Sequence, residues 1–600
     1  VSSEEINCPQ ATLRIARLQG NSLEGRLGFT HRPKDGKTEL MVSDLSLAGG
    51  LVDLTAQLDQ ETWQAQLKAT RLTMTLLESW LSPVPGLALA EGQNHGLVNV
   101  TGGVSGSGEN LEKGKLQIQS TKLSGATASG HYATADVAFR FTGQWQASGR
   151  FSSELRIFQG QIYSEPVFLQ VQPAQAPLVL RIAGRYKDPV LILDNVSFSH
   201  PGIVQAQAKG QFDLGEENPL QQAHLTINEA VFPDVYTTYL QPFSADGALG
   251  QLQTQGRLQG HVAVADDGLQ ALRLQATEVY LKDALNRFGL KGLNGDLVWS
   301  PDSKPQDSQL GWDEGNVYEL TLGAGELSFE SKQGVLRLRK ESRIPVLDGA
   351  LSIAQMEAKG LGEPIQWRFD GLLTPLSMAT LSQALGWPPL AGKLSGMMPD
   401  VHYDNDRLKV GGSLLVRMFE GDITITDLRI EELFGTMPKA FANIDLRNLN
   451  LETLTRAFDF GRIEGKLSGQ IKDLQLVNWQ PVHFDAILAT PKDDKSRRRI
   501  SQQAVQNLSA LSGGDPTAVL SRGILRLFKT FRYKRLGLQC RLRNGICEMS
   551  GVGPAGAGYY LVQGEGLPRI DVIGYNPQVD WDELVTRLQA AMQSGRPIVE

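Results

Sequence analysis

Apolar residues step by two along most of this 600-residue chain, and that period constrains the fold more than any other feature. In Leu414, Val416, Met418 and then Ile423, Ile425, the apolar positions alternate, while Arg417, Glu420, Asp422 and Thr424 take the others. The same habit puts Leu116 with Ile118, Leu155 with Ile157, and Leu272 with Leu274 on common faces. Successive side chains of a β-strand point to opposite faces, so each segment reads as a half-buried strand.

A sheet that is apolar on one face must cover it with helices, a second sheet, itself or a ligand. The helical patterns in this chain are too few and too short for that task. Three arrangements remain: stacked β-sandwiches, a β-solenoid, or one long sheet curled into a gutter with an apolar lining. No Pro/Ser-rich linker marks off sandwich domains, and the repeats are less regular than a solenoid requires. The 63 glycines have no collagen period and point to many turns between many strands. A formal charge of -7 argues against a nucleic-acid partner, which would call for a basic excess. No run approaches the roughly 18 apolar residues of a membrane span. The sequence opens Val1-Ser2-Ser3-Glu4-Glu5, which reads as a mature form or fragment with any export signal or anchor upstream.

Internal repeats support a single extended architecture. Gly392-Lys393-Leu394-Ser395-Gly396 recurs as Gly465-Lys466-Leu467-Ser468-Gly469, with Gly256-Arg257-Leu258-Gln259-Gly260 a close relative. Each follows a strand and a short helical or turn segment: residues 235–240, 376–385 and 451–458, with a weaker copy at 72–81. A second motif, Arg156-Ile157-Phe158-Gln159-Gly160-Gln161-Ile162, matches Arg417-Met418-Phe419-Glu420-Gly421-Asp422-Ile423, with Pro345 to Leu351 as a looser copy. There glycine permits a turn or a bulge.

Three regions follow from the pattern: a repetitive β body over 1–490, a basic loop with a helical hairpin over 491–531, and terminal strands with a short helix over 532–600. In the middle region Ile500, Ala504, Leu508 and Leu511 have helical spacing. Asp515 and Pro516 read as the start of a second helix, with Leu520, Ile524, Leu527, Phe528 and Phe531 on one face. Cys540 and Cys547 flank Leu542-Arg543-Asn544-Gly545. A four-residue loop sets them directly opposite, as a disulfide on the apolar side of a hairpin. A two-residue Asn-Gly turn would place them on a diagonal, where bridging is harder, and a pair of buried free thiols is the alternative. A disulfide implies an oxidising compartment, which for a bacterial chain is the periplasm. Cys8 has no evident partner.

Chemistry is scarce. The eight histidines are scattered, none at metal-ligand spacing from another His or Cys. Asp400, Asp404 and Asp406 lack the glycine and distal glutamate of a calcium loop and read as a hydrated turn. Gly551-Val552-Gly553-Pro554-Ala555-Gly556 matches a dinucleotide fingerprint in letters, but Tyr559 to Val562 reads as a strand where a helix is needed. No Gly-x-Ser-x-Gly elbow, phosphate-binding loop or carboxylate pair stands out, so neither an enzyme nor a cofactor is expected. Lys495, Arg497, Arg498 and Arg499, beside an amphipathic helix, are candidates for touching anionic headgroups, against a bland reading as a solvated loop.

The stretch Ile500 to Val505, with Leu536-Gly537-Leu538-Gln539-Cys540, Asn544-Gly545-Ile546-Cys547 and Gly566 to Asn576, resembles the AsmA-like envelope proteins, the group of TamB and YhdP. The Gly-x-Leu-x-Gly repeats resemble that family more loosely. The resemblance implies a mainly β fold: an elongated, twisted, continuous sheet curled into an open apolar groove, with a few short amphipathic helices. It implies a periplasmic protein, anchored in the inner membrane through an N-terminal segment not seen in this sequence, that carries phospholipid towards the outer membrane. The groove lining would be Leu116, Ile118, Leu155, Ile157, Leu272, Leu274, Leu414, Val416, Met418, Ile423 and Ile425. The resemblance also implies a small outer-membrane lipoprotein of the YnbE kind that adds strands at the C-terminal end. The edge candidates there are Arg569, Ile570, Asp571, Val572, Ile573, Gly574 and Tyr575. The competing readings are an envelope scaffold whose apolar face is protein-filled core, and a β-helical polysaccharide enzyme, which would need clustered carboxylates.

Overall fold

A computed structural model describes residues 5–18, 21–47, 49–74, 90, 94–173, 175–244, 247–361, 365–387, 390–511 and 528–593. The chain is mainly β: among the described residues forty strands belong to one antiparallel sheet, with short helices between a few of them. Most strands pair with their neighbours in sequence, so the connections are hairpins. Two compact units are distinguished: Val1–Tyr280 with Asp296–Ser300, and Leu281–Gly295 with Pro301–Glu600. The boundary anticipated at 490 falls inside the second unit. No helix among the described residues is long and apolar enough to cross a membrane.

The repeated glycines have two distinct duties. Gly256, Gly392 and Gly465 have φ of 102°, 142° and 132°, a region closed to most side chains. Gly392 and Gly465 stand where the chain enters the strand after a helical segment, whereas Gly256 lies inside the strand Leu252–Ala265. The second glycine of the motif makes room on the apolar face. A Cβ at Gly260 would lie 3.1 Å from Leu274 Cδ2, one at Gly396 2.5 Å from Leu414 Cδ2, and one at Gly469 2.9 Å from Leu488 Cδ2.

The helical segments stand where the repeats place them. Met378–Ala384 is capped by Ser377, whose Oγ accepts the Thr380 N–H, and Leu451–Ala457 by Asn450, whose Oδ1 accepts from Glu452 and Thr453. The first copy is a π-helix, Tyr236–Leu240, held by Tyr236, whose hydroxyl donates to the Leu249 carbonyl at 2.6 Å. Under it lies His200, 4% exposed and 2.8 Å from the Tyr239 hydroxyl. Burial pushes the His200 pKa down and that of Tyr239 up. The copy expected at 72–81 lies mostly outside the described residues, and its first residues, Leu72 and Thr73, end a strand.

The second motif takes both forms left open for it. Around Gly160 (φ 117°) it is a bulge inside one strand, Arg150–Ser164. At 417–423 it is a two-residue hairpin turn, with Met418 opposite Gly421 and positive φ at Phe419 and Glu420. Asn450 steadies this turn, its N–H donating to the Phe419 carbonyl at 2.6 Å and its Nδ2 to Glu420 Oε2 at 2.9 Å.

One device was not anticipated. Asp44, Arg71, Asp136, Asp400, Asn448 and Asp473 have φ between 51° and 60°, and each stands where the strand register slips. Each freed N–H is accepted by a side-chain oxygen of an adjacent strand: Asp53, Asn99, Ser124, Asp370, Ser468 and Asn443 respectively, at 2.8–3.0 Å. Such bulges bend a strand and increase its twist.

Two expectations at the C-terminal end are corrected. The register pairs Arg543 with Ile546, Leu542 with Cys547 and Cys540 with Met549, so the turn is the two-residue Asn544-Gly545 (φ 50° and 77°), not a four-residue loop. The cysteines are therefore diagonal, and the disulfide nonetheless forms, with Cα atoms 5.5 Å apart. Diagonal residues on the same face lie close enough when the hairpin is strongly twisted. Second, Phe531 is not helical. It lies in the strand Thr530–Arg543, opposite Ile500 of the short strand Arg499–Ser501. The alternation Phe531, Tyr533 favours the strand, and both rings are buried. The first helix of the expected hairpin is Gln502–Leu511, and the second falls on residues outside those described. The terminal helix spans Trp581–Gln593.

Candidate functional site: an apolar face

In the first unit, cross-strand pairing assembles a continuous row. Ala69 faces Val100, and the row continues through Ile118, Phe141, Leu155, Leu180, Phe198, Ala206 and Ile227 to Gly260, one residue per strand over ten strands. The next row, one residue further along each strand on the opposite face, is Lys68, Thr101, Gln117, Thr142, Glu154, Arg181, Ser197, Gln207, Thr226 and His261. Along these two rows one face is therefore apolar and the other polar, with no exception across ten strands. Ala69 and Val100 are buried, whereas every residue from Ile118 to Ile227 is only half-buried. Large apolar side chains thus keep substantial exposure to one side, a pattern that marks interaction surfaces when it is contiguous.

The second unit has its own row: Leu351, Leu373, Gly396, Leu414, Ile425, Ile444, Ile471, Ala486, Cys540 and Met549. Apart from the buried Gly396 it is half-buried until its end, where Cys540 and Met549 close it. There a large core has formed, from Leu376 through Val505, Tyr533, Leu542 and Cys547 to Val579. Trp581 of the terminal helix packs edge-on against Phe484, with ring centres 5.3 Å apart.

The eleven lining candidates therefore divide. Ile118 and Leu155 lie in the first unit's open row and Leu116 in the row beside it, and Leu274 reaches over Gly260 at its end. Leu272 is half-buried two residues earlier. Ile157 is buried in a small cluster with Val137 and Leu178. Leu414, Ile423 and Ile425 are half-buried, but Val416 and Met418 are 7% and 8% exposed within the large core.

The basic residues are mostly engaged. The Arg498 guanidinium donates to the Lys534, Pro491 and Asp494 carbonyls and pairs with Asp494. Arg497 pairs with Glu464 and Arg499 donates to Thr530. Only Lys495 of the four has no partner among the described residues. At the edge candidates, the strand is limited to Val572–Gly574, paired with Gly558–Gly564. Ile570 and Val572 are buried, Ile573 is half-buried, Tyr575 is exposed, and Arg569 pairs with Asp571.

The dinucleotide-like glycines lead into the strand Gly558–Gly564, and Asp404 and Asp406 flank or form a hairpin turn. Among the described residues no three His, Cys, Asp or Glu side chains gather as for a metal ion. No family model matches this chain and no curated protein matches it, so the two-faced sheet itself defines the site.

Proposed function

We propose that the chain holds phospholipid along its apolar face and acts, without catalysis, as a periplasmic bridge carrying lipid between the inner and outer membranes. The observation that carries this reading is the half-buried row from Ile118 to Ile227, five of whose members are large aliphatic or aromatic side chains on consecutive strands. Acyl chains have no hydrogen-bonding needs, and contact with such a row removes apolar surface of both partners from water. Six strand spacings of about 4.8 Å give a row on the order of 30 Å, against about 15 Å for the hydrocarbon of one leaflet. The row thus suits lipids bound in series. The disulfide supports an oxidising compartment. The family resemblance supplies the inner-membrane anchor and the outer-membrane lipoprotein, which would add its strand near Val572–Gly574.

A scaffold with a protein-filled core is the second reading, favoured by the closed core around Val416 and Met418. Photo-crosslinking amino acids separate the two. Placed at Phe141 and Leu180 they capture phospholipid in cells, while at Thr142 and Arg181 they do not. Equal labelling at all four positions, or none at Phe141 and Leu180, sinks the conduit.

A further inference from the structure

The polar face of the first unit is not featureless. Three contiguous depressions of about 480, 530 and 270 Å³ cross it, from the strand Gly50–Asp59 to the strand Val190–His200, and Gln144 lines all three. Five cations line them, Lys68, Lys113, Lys115, Arg150 and Arg181, against two carboxylates, Asp53 and Glu154. Arg181 pairs with Glu154 at 2.6 Å, and the other four have no ion-pair partner among the described residues. Five cations against two carboxylates leave a local positive field that an anionic ligand would complete.

Pairing fixes what surrounds these cations. Lys115 lies opposite Gln144 and Gly103, and Lys113 opposite Gln146 and Ser105. Gln66 and Gln117 extend the amides along the same depressions. A side-chain amide donates and accepts at once, which suits vicinal hydroxyl groups, while an ammonium or guanidinium takes a carboxylate. Gly103 keeps the floor open beside Lys115, since a Cβ there would lie 3.3 Å from Lys115 Cε.

We propose that this face binds an extended acidic polysaccharide, with Lys113, Lys115 and Arg150 on its carboxylates and Gln66, Gln144 and Gln146 on its hydroxyls. The ligand lies across the strands, on the face opposite the apolar row, so this site stands or falls independently of lipid binding.

Calorimetric titration of the whole chain with oligogalacturonate tests it. Binding is expected that weakens with salt, falls about tenfold or more in Lys113→Ala/Lys115→Ala, and falls about threefold or more in Gln144→Ala. Lys37→Ala, which removes a cation paired with Asp59, leaves affinity unchanged. Neutral dextran does not bind. The proposal is overturned if oligogalacturonate does not bind, if dextran binds equally, if polyglutamate binds as tightly as oligogalacturonate, or if the folded double variant, checked by circular dichroism, keeps native affinity.

Discussion

Asn443 accepts the backbone N–H of Asp473 at 3.0 Å and, through its Nδ2, donates to the Asp427 carboxylate at 2.8 Å. Asp427 and Asp473 both have positive φ, on the strands that flank Asn443, so a single amide ties two bulges together. Asn443→Ala leaves one bulge N–H without its acceptor, on an exposed face where water partly replaces it. A loss of about 1 kcal/mol is expected in urea unfolding, with an unchanged slope against denaturant. Asn443→Asp, which keeps the acceptor but places a carboxylate beside Asp427, should recover less than half of it.

Gly392 offers a sharper test of backbone constraint. Its φ of 142° and the closeness of the Arg417 carbonyl oxygen both exclude a Cβ. Gly392→Ala should cost about 3 kcal/mol. Gly553→Ala, at a site with open space and no positive φ, should change stability by less than about 0.5 kcal/mol in the same denaturation series.

Removing the disulfide acts mainly on the unfolded chain. Closing a loop of seven residues restricts it by about 2–3 kcal/mol, and Cys547 is wholly buried in the native hairpin. Cys540→Ala/Cys547→Ala should lower stability by that amount. Reductant should lower the native protein towards the variant and leave the variant unchanged.

His200 gives a pH dependence with a definite sign. Burial holds its native pKa below the unfolded value of about 6.5, with Asp234 partly offsetting the effect. The unfolded chain therefore binds the extra proton first. The stabilising contribution is complete above pH about 6.5 and is lost as pH falls from there through the depressed native pKa. Thermal melts at pH 7.5 and 5 should show a larger drop in Tm for the native chain than for His200→Gln, which can still reach the Tyr239 hydroxyl.

Much of this fold was legible because a period of two is a direct consequence of strand geometry. Leu116, Ile118, Leu155 and Ile157 declare their face without any knowledge of their neighbours. What alternation does not reveal is which faces stay open: Val416 and Leu155 look alike in sequence, yet one lies in the closed core and the other in the open row. The Asn544-Gly545 turn was weighed against a longer loop, and two positive φ values in succession decide for the shorter one. Phe531 was misread because Leu527, Phe528 and Phe531 also satisfy a helical stripe. The bulges escaped because Arg71 and Asp136 resemble ordinary outward residues. The only signal is relational, an Asn99 or Ser124 one strand away that can accept a displaced N–H.

The hairpin-by-hairpin pairing carries a consequence for how such a chain can change over time. Most strands find their partners beside them in sequence, so gaining or losing a whole hairpin alters the count of strands without rewriting the rows on either side. The number of strands becomes a quantity that duplication adjusts in steps of two.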